Sequence, residues 1–299
     1  MSTLLVCGKS FNKDLVRYTH VFSDFSPNPK MEDILAGAEL LKEIKATEMI
    51  AAGGGSAIDV AKAIKYYADF LDIRLTAIPT TAGSGSDATR FAVIYKNGEK
   101  LSIEHEKLLP DKVLFFPELL STLPLYIKQA SLLDAWAQAI ESLWNINATG
   151  ESEGYSRKAI ELISKNYKAY LSGDESTNEI MLTAANLSGK AINITKTTAP
   201  HAMSYKLTTI FGIAHGHGVA LTLPHVYREM KEKREFSKEI DIAVTEFETA
   251  FNEMGLETPK ATDEIIRSLV IGVNVQRLQN SPVQDLDIEY IYRKALEWK

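Results

Sequence analysis

The chain has 299 residues, of which 45% are hydrophobic and 24% charged, and a formal net charge of -6. That balance excludes a disordered chain and a general nucleic-acid binder, and no apolar run approaches the ~18 residues of a membrane span. The length is more than one hydrophobic core comfortably serves, so two domains are expected; the lone cysteine, Cys7, excludes internal disulfides and suits a reducing, cytoplasmic setting.

Thr3–Cys7 (TLLVC) reads as a short buried strand, with Gly8, Lys9 and Ser10 as the turn that follows. Residues 11–18 leave room for about two helical turns, which is short for a crossover between parallel strands. SDFSPNP, at 23–29, is a loop. Residues 31–45 place Ile34, Leu35, Ala38, Leu41 and Ile44 at helical spacing, and 48–52 read as a strand.

Gly53, Gly54 and Gly55 then lead into a helix starting near Ser56. In such a turn, backbone N–H groups approach a diphosphate at the positive end of the helix with no side chain in the way. A tight turn alone explains one glycine better than three. The spacing is not GxGxxG, so it is not the ordinary Rossmann fingerprint. A second strand at 75–78 runs into PTTAGSGSDAT, where Thr80, Thr81, Ser84 and Ser86 supply donors and Gly83 and Gly85 allow close approach, suiting phosphates or a nicotinamide. Residues 91–95 and 101–103 form a hairpin about Asn97-Gly98, a type I′ turn sequence. Residues 113–116 are one more strand. Pro117 and Pro124 mark a boundary, giving domains 1–121 and 122–299.

Beyond it helical patterns take over. In ASLLDAWAQAIESLWN the apolar stripe is Leu133, Trp136, Ile140, Leu143 and Trp144. A second stripe is polar, with Asp134, Gln138, Ser142 and Asn145, so Asp134 and Gln138 project one turn apart from one face. By itself that pattern fits a satisfied polar face as well as a metal site. The segment 196–224, KTTAPHAMSYKLTTIFGIAHGHGVALTLP, adds His201, His215 and His217. On one continuous helix His201 and His215 would lie ~21 Å apart and share no ion. The glycines at 212, 216 and 218 predict instead that a helix carrying His201 stops near Phe211 and the chain doubles back.

A carboxylate and two imidazoles, with a fourth position for Gln138 or solvent, suit a catalytic Fe²⁺ or Zn²⁺ that keeps a place for a carbonyl oxygen. An amide oxygen binds more weakly than imidazole, so such an ion is held less tightly than by three histidines. His217, Arg90, Lys196, Thr197 and Thr198 are candidate donors to an anionic substrate. His20, His105 and His225 read as structural, and the chain from Tyr227 onward as amphipathic packing helices.

Taken together, GGGSAIDVAK, IPTTAGSGSDAT, DAWAQAIES and HAMSYKLTTIFGIAHGHGVALTLP resemble the iron-containing (group III) alcohol dehydrogenases, in the family's order and over nearly the whole chain. The resemblance implies a two-domain, dehydroquinate synthase-like fold: an N-terminal Rossmann-like α/β domain, shortened here, and a C-terminal all-α domain. It also implies hydride transfer between a nicotinamide and a metal-polarised carbonyl. By position it assigns Asp134, His201 and His215 to the metal. Gln138 stands where a fourth ligand, a histidine, is usual, and Tyr205 where a further active-site histidine stands. Gly53, Gly54, Gly55 and Ser56 match the diphosphate loop, Asp59 and Lys62 its following helix, and Thr80, Thr81, Gly83 and Ser84 the second cofactor loop.

Where NAD-preferring members often carry an aspartate, this chain has Gly8, followed by Lys9 and Ser10, so NADPH is expected, with NADH as the alternative. Members also have a longer stretch between the first strand and SDFSPNP, so a helix of the nucleotide domain, with or without a strand, is expected to be missing. AINITKTTAPHAMSY and HGHGVALTLP are similar to the branch that reduces phosphonoacetaldehyde to 2-hydroxyethylphosphonate. The expected substrate is therefore a small anionic aldehyde, with Tyr205, His217 or solvent handling the proton and Arg90, Lys196 and Thr198 near the anion. Reduction of phosphonopyruvate or of neutral alkyl aldehydes, and a non-catalytic binder of nucleotide or metal, are the alternatives. A homodimer is expected, with no nucleic-acid or membrane partner.

Overall fold

Thr3–Cys7 (β1) is buried along its whole length, as expected of a strand covered on both faces of a parallel sheet. The computed structural model describes every residue except Met1, Pro27, Asn28, Asn97, Gly98 and Lys299. It divides into two units, Met1–Thr122 and Leu123–Lys299.

In the first unit β1 is followed by β2 (His20–Phe22), α1 (Met31–Glu43), β3 (Glu48–Gly53), α2 (Gly55–Tyr67), β4 (Arg74–Pro79), β5 (Phe91–Lys96), β6 (Glu99–Glu104) and β7 (Lys112–Val113). The sheet is wholly parallel with order β2-β1-β3-β4-β7. Register pairs Cys7 with Ala52 and Gly53 with Pro79, so the turns after β1, β3 and β4 emerge at one edge. The chain steps outward from β1 to β2 and then back to β3. The reversal between β1 and β3 is the switch point where ligands bind in open α/β sheets.

Period-2 alternation sorts the core into two faces. Leu4 and Val6 join Ile34 and Leu41 of α1, Ile58 and Ile64 of α2, and Met49. Leu5 and Cys7 join Phe11, Ala52 and Ile78 on the other face, closed by Leu15, Val16, Leu114, Phe116 and Leu119. The second face thus has loop side chains where a crossover helix would lie. Residues 8–19 hold only a 3-10 turn at Lys13–Leu15, not the two helical turns their length allowed. The sequence reading also misses β2. The strand proposed at 113–116 is confined to Lys112–Val113, with Leu114 adding one bond to Ala77 before Pro117 opens a 3-10 turn. β5 and β6 pair as the expected hairpin; its Asn97-Gly98 turn, like Pro27 and Asn28 of the SDFSPNP loop, lies outside the described residues.

The second unit is built on α3 (Leu125–Trp144), buried on nearly every side from Ala130 onward. A helix apolar or satisfied all round belongs in a core. Next come α4 (Gly150–Leu171), α5 (Asn178–Thr195), α6 (Ala199–Phe211), α7 (His215–Lys233) and α8 (Lys238–Met254); α4, α5, α7 and α8 all pack on α3. β8 (Lys260–Ala261), α9 (Asp263–Ile271), α10 (Val275–Leu278), α11 (Ile288–Ala295) and β9 (Glu297–Trp298) complete it. The parallel β8–β9 pair is the one departure from the all-helical expectation among the described residues. No helix of the described residues is long and apolar enough to cross a membrane.

His225 on α7 gives this unit an acid sensitivity. It borders a cavity of about 280 Å³ lined also by Pro224, Glu248, Phe251 and Lys294. Burial first, then the Arg228 and Lys294 charges, lower its pKa from 6.5 to about 4 against the opposing pull of Glu248. The unfolded chain therefore takes up the proton first, and stability is lost as pH falls from 6.5 towards 4. Because the ring keeps some solvent, the loss is about 1–2 kcal/mol, below the full value of the shift. Thermal melting of His225→Gln should fall less steeply over that window than wild type; parallel curves would remove His225 as the cause.

Candidate metal centre and cofactor loops

Two helices must pack side by side for His201 and His215 to share anything, as α6 and α7 do, Thr222 of α7 reaching the Pro200 carbonyl. α6 begins at Ala199, capped by Thr198, with Pro200 in its first turn, and ends at Phe211. Gly212 follows in the left-handed region, at φ 68°, and its N–H closes onto Thr208. Three residues later α7 opens on His215 itself. The reversal places the two imidazole rings 5.3 Å apart. Gly216 lets this end of α7 lie directly on α3, since a Cβ there would fall 1.9 Å from the Ala130 carbonyl oxygen and 2.8 Å from Asp134 Cβ. Tyr126 holds the turn, its hydroxyl accepting from the Ala214 N–H at 2.8 Å.

Asp134, His201 and His215 each offer a ligand atom, and these atoms all lie within 4.8 Å of one another. His201 Nε2 is 3.1 Å from Asp134 Oδ1, and its Nδ1 bonds Glu141, a fully buried carboxylate. Burial opposes a charge on His201, but Glu141 and Asp134 outweigh it and raise its pKa to about 9. Burial likewise opposes the Asp134 carboxylate, yet His201, His215 and Gln138 hold its pKa below the usual range. The two buried carboxylates thus favour positive charge at this position, whether a proton on the ring or a bound cation. His215 Nδ1 lies 3.2 Å from Ser204 Oγ, which itself donates to the His201 carbonyl at 2.9 Å. With Nδ1 so engaged, Nε2 is the nitrogen His215 has to offer. This donor set, one carboxylate with a buried and a half-buried imidazole whose outer nitrogens are supported, fits Fe²⁺ or Zn²⁺.

The other expected members divide. Gln138 Nε2 donates to Asp134 Oδ1 at 3.0 Å, so its amide nitrogen supports the carboxylate one turn away. Tyr205 does reach the cluster, stacked on His215 with ring centroids 5.4 Å apart and planes 5° from parallel. His217 does not. Two residues along α7 turn it about 200° from His215, and it sits between Tyr126, at 3.2 Å from its Nδ1, and Phe251. Burial lowers its pKa, so it is no cationic donor.

Of the proposed anion donors, Thr198 is committed elsewhere: its N–H and hydroxyl both donate to Glu141, and it accepts from Trp144. Arg90, in the first unit, is paired with Glu104 and Glu106. Lys196 ends α5 at φ 63° with an exposed side chain, its carbonyl accepting from Asn145.

The cofactor-loop residues come together within the first unit. Thr80 N–H bonds the Gly53 carbonyl at 3.0 Å, and a Cβ on Gly54 would touch Thr81. A Cβ on Gly55 would overlap Ser84, so glycine here lets the two loops close on each other. Gly53 takes φ 154° and Gly85 is left-handed. Ser56 lies in the first turn of α2, and Gly83 between the two loop hydroxyls. Gly8, Lys9 and Ser10 turn away from β1 at the same edge, Lys9 near Asp24 at 3.6 Å. The Asp59 carboxylate accepts from Ser86 Oγ and Val93 N–H. Lys62 is fully buried and donates to the Ser86, Thr89 and Phe91 carbonyls, burial lowering its pKa to about 8. Both brace the second loop.

Sequence reasoning passed over Glu141, Ser204, Tyr126 and Arg277. For Glu141 the signal existed: seven residues after Asp134 puts it within about 20° of the same helix face.

The iron-containing alcohol dehydrogenase model matches residues 6–117, and the Fe-containing alcohol dehydrogenase C-terminal model residues 128–299. The chain therefore belongs to the iron-containing alcohol dehydrogenase family. It is similar to a phosphonoacetaldehyde reductase of Streptomyces viridochromogenes, 32% identical over 223 residues, which are 66% of this chain and 56% of that protein. An NADPH-dependent butanol dehydrogenase of Clostridium saccharobutylicum is 30% identical over 243 residues, covering 73% of this chain and 62% of its own length. The chain thus spans little more than half of these curated relatives. Among solved structures, a sulfoacetaldehyde reductase from Bifidobacterium kashiwanohense in complex with NAD+ superposes with TM-score 0.88 at 27% identity, over 97% of this chain and 90% of that one.

Proposed function

We propose that the protein is an NADPH-dependent, metal-assisted reductase of a small anionic aldehyde, phosphonoacetaldehyde being the leading candidate and NADH an alternative donor. The observation that carries the reading is the convergence of Asp134, His201 and His215, the first two buried and the third half-buried, in one unit, alongside a glycine-lined pair of loops beside the switch point of the other. The names of two relatives, phosphonoacetaldehyde reductase and sulfoacetaldehyde reductase, both denote short aldehydes ending in an oxyanion group. Gly8, with no carboxylate of its own, leaves room for a 2′-phosphate.

Asp134, His201 and His215 would hold a divalent ion, which supplies Lewis acidity to a carbonyl oxygen, while a reduced nicotinamide supplies hydride. Glu141 and Ser204 fix the tautomers of the two histidines. Gln138 orients Asp134. Tyr205, stacked on His215, holds the proton for the product hydroxyl. Burial of Asp134 and His201 limits the access of bulk water to the ion.

Purified protein given Fe²⁺ or Zn²⁺, NADPH and phosphonoacetaldehyde should consume NADPH, with activity lost on chelation and restored by the ion. NADPH loss no faster than background rejects this substrate. Undiminished turnover by metal-free protein rejects the role given to Asp134, His201 and His215.

A further inference from the structure

Most arginines whose ion pairs are seen here, Arg90, Arg157, Arg228 and Arg293 among them, meet carboxylates. Arg277 meets none within ion-pair distance among the described residues, although it is half-buried. It sits on α10, a single turn capped by Asn274, whose side chain accepts from the Arg277 N–H at 3.2 Å. Asn280, just beyond, donates to the Thr197 carbonyl at 2.9 Å and ties α10 to the start of α6. Its backbone is therefore fixed against the helix that carries His201.

The side chain is fixed too. One guanidinium nitrogen donates to Thr197 Oγ1, and the guanidinium carbon lies over the Tyr205 ring at 5.7 Å from its centroid. Tyr205 is in turn stacked on His215 at 5.4 Å. These two short steps set an upper bound on the distance from the guanidinium to the His215 ring. That bound leaves room for a short substrate whose carbonyl oxygen is about 2 Å from an ion and whose oxyanion accepts a charge-assisted bond of about 2.8 Å. A guanidinium has five N–H donors in a planar fork, and the Thr197 bond uses only one edge of it.

We propose that Arg277 is the residue that recognises the substrate's anionic group, aligned for it by Thr197 and Tyr205. The inference rests on the anionic-aldehyde reading above and assigns to a different residue the role that the sequence suggested for Arg90, Lys196 and Thr198. It explains a half-buried cation without a counter-ion: the substrate's phosphonate or sulfonate supplies the missing charge. Tyr205 then acts as a positioning residue for Arg277 as well as a neighbour of the metal cluster.

The test uses the metal-loaded protein, two aldehydes and one inert anion. Phosphonoacetaldehyde and propanal are compared by kcat and KM, and ethylphosphonate binding is measured by calorimetry. Arg277→Met should weaken ethylphosphonate binding roughly 100-fold and raise the KM of phosphonoacetaldehyde to match, with a smaller change in kcat. The preference for the anionic over the neutral aldehyde should collapse by the same factor. Arg277→Lys should recover part of it, and Thr197→Val, which loosens the alignment, should fall between. The proposal is overturned if ethylphosphonate fails to bind wild type, if it binds Arg277→Met equally well, or if both aldehydes lose equally, which marks a packing role. Arg277-dependent ethylphosphonate binding without turnover of phosphonoacetaldehyde supports the anion site and rejects that substrate.

Discussion

Glu141→Gln is expected to weaken the protein's hold on Fe²⁺ or Zn²⁺ by roughly 10- to 100-fold, although Glu141 is not a ligand. Its two oxygens accept from three donors: His201 Nδ1, the Thr198 N–H and the Thr198 hydroxyl. An amide has one oxygen for that work. If its NH₂ turns towards His201, Nδ1 must become an acceptor, and the ring proton moves to Nε2, the nitrogen that faces Asp134. If it turns towards Thr198, donor meets donor at the cap of α6. Either arrangement costs metal affinity or the start of the helix that carries His201. Glu141→Ala removes the acceptor altogether and strands all three donors in the core, at about 3–5 kcal/mol of stability. Calorimetric metal titration with urea unfolding would check both; glutamine binding the ion as glutamate does would show that Glu141 only fills space.

The reach of the sequence differs sharply between ligands and their supports. The reversal at Gly212 is legible because a left-handed helix end has a residue preference of its own, and it alone separates a shared site from two distant histidines. The polar stripe on α3 is legible as a period. What fills that period is not, since Gln138 and Glu141 look alike as polar positions until neighbouring helices show which faces a ligand and which a donor. Thr198 reads as a free hydroxyl near His201, and only the fold reveals it spent on Glu141 and Trp144. Arg277 lies 76 residues after His201 on one isolated turn, where no local pattern marks it. β2 is three residues long at the sheet's edge, pairs with β1 alone, and carries no apolar run that a periodicity argument can detect. The glycine loops were visible, but the meeting of Gly55 with Ser84 needed the parallel register of β3 and β4.

The same kind of contact makes Gly216 a sensitive position in the second unit. An added Cβ would lie 1.9 Å from the Ala130 carbonyl oxygen and 2.8 Å from the Asp134 nitrogen and Cβ, all on α3 rather than on a movable side-chain tip. Gly216→Ala must therefore push α7 off α3 at the point where the two helices hold His215 and Asp134. Overpacking of this kind costs about 1–3 kcal/mol, and a displacement near 1 Å is enough to lower turnover about 100-fold where reacting groups must align. Gly218 is the comparison that separates crowding from helix propensity. Its added Cβ would meet the Ser204 carbonyl oxygen at 3.3 Å and Leu207 Cβ at 3.4 Å, so a small adjustment accommodates it, and alanine regains up to ~1 kcal/mol of helix propensity. Gly218→Ala should thus melt within a few degrees of wild type and keep its metal, while Gly216→Ala melts lower and loses most of it. Equal metal content in the two variants would show that α7 need not touch α3 for Asp134 and His215 to share an ion.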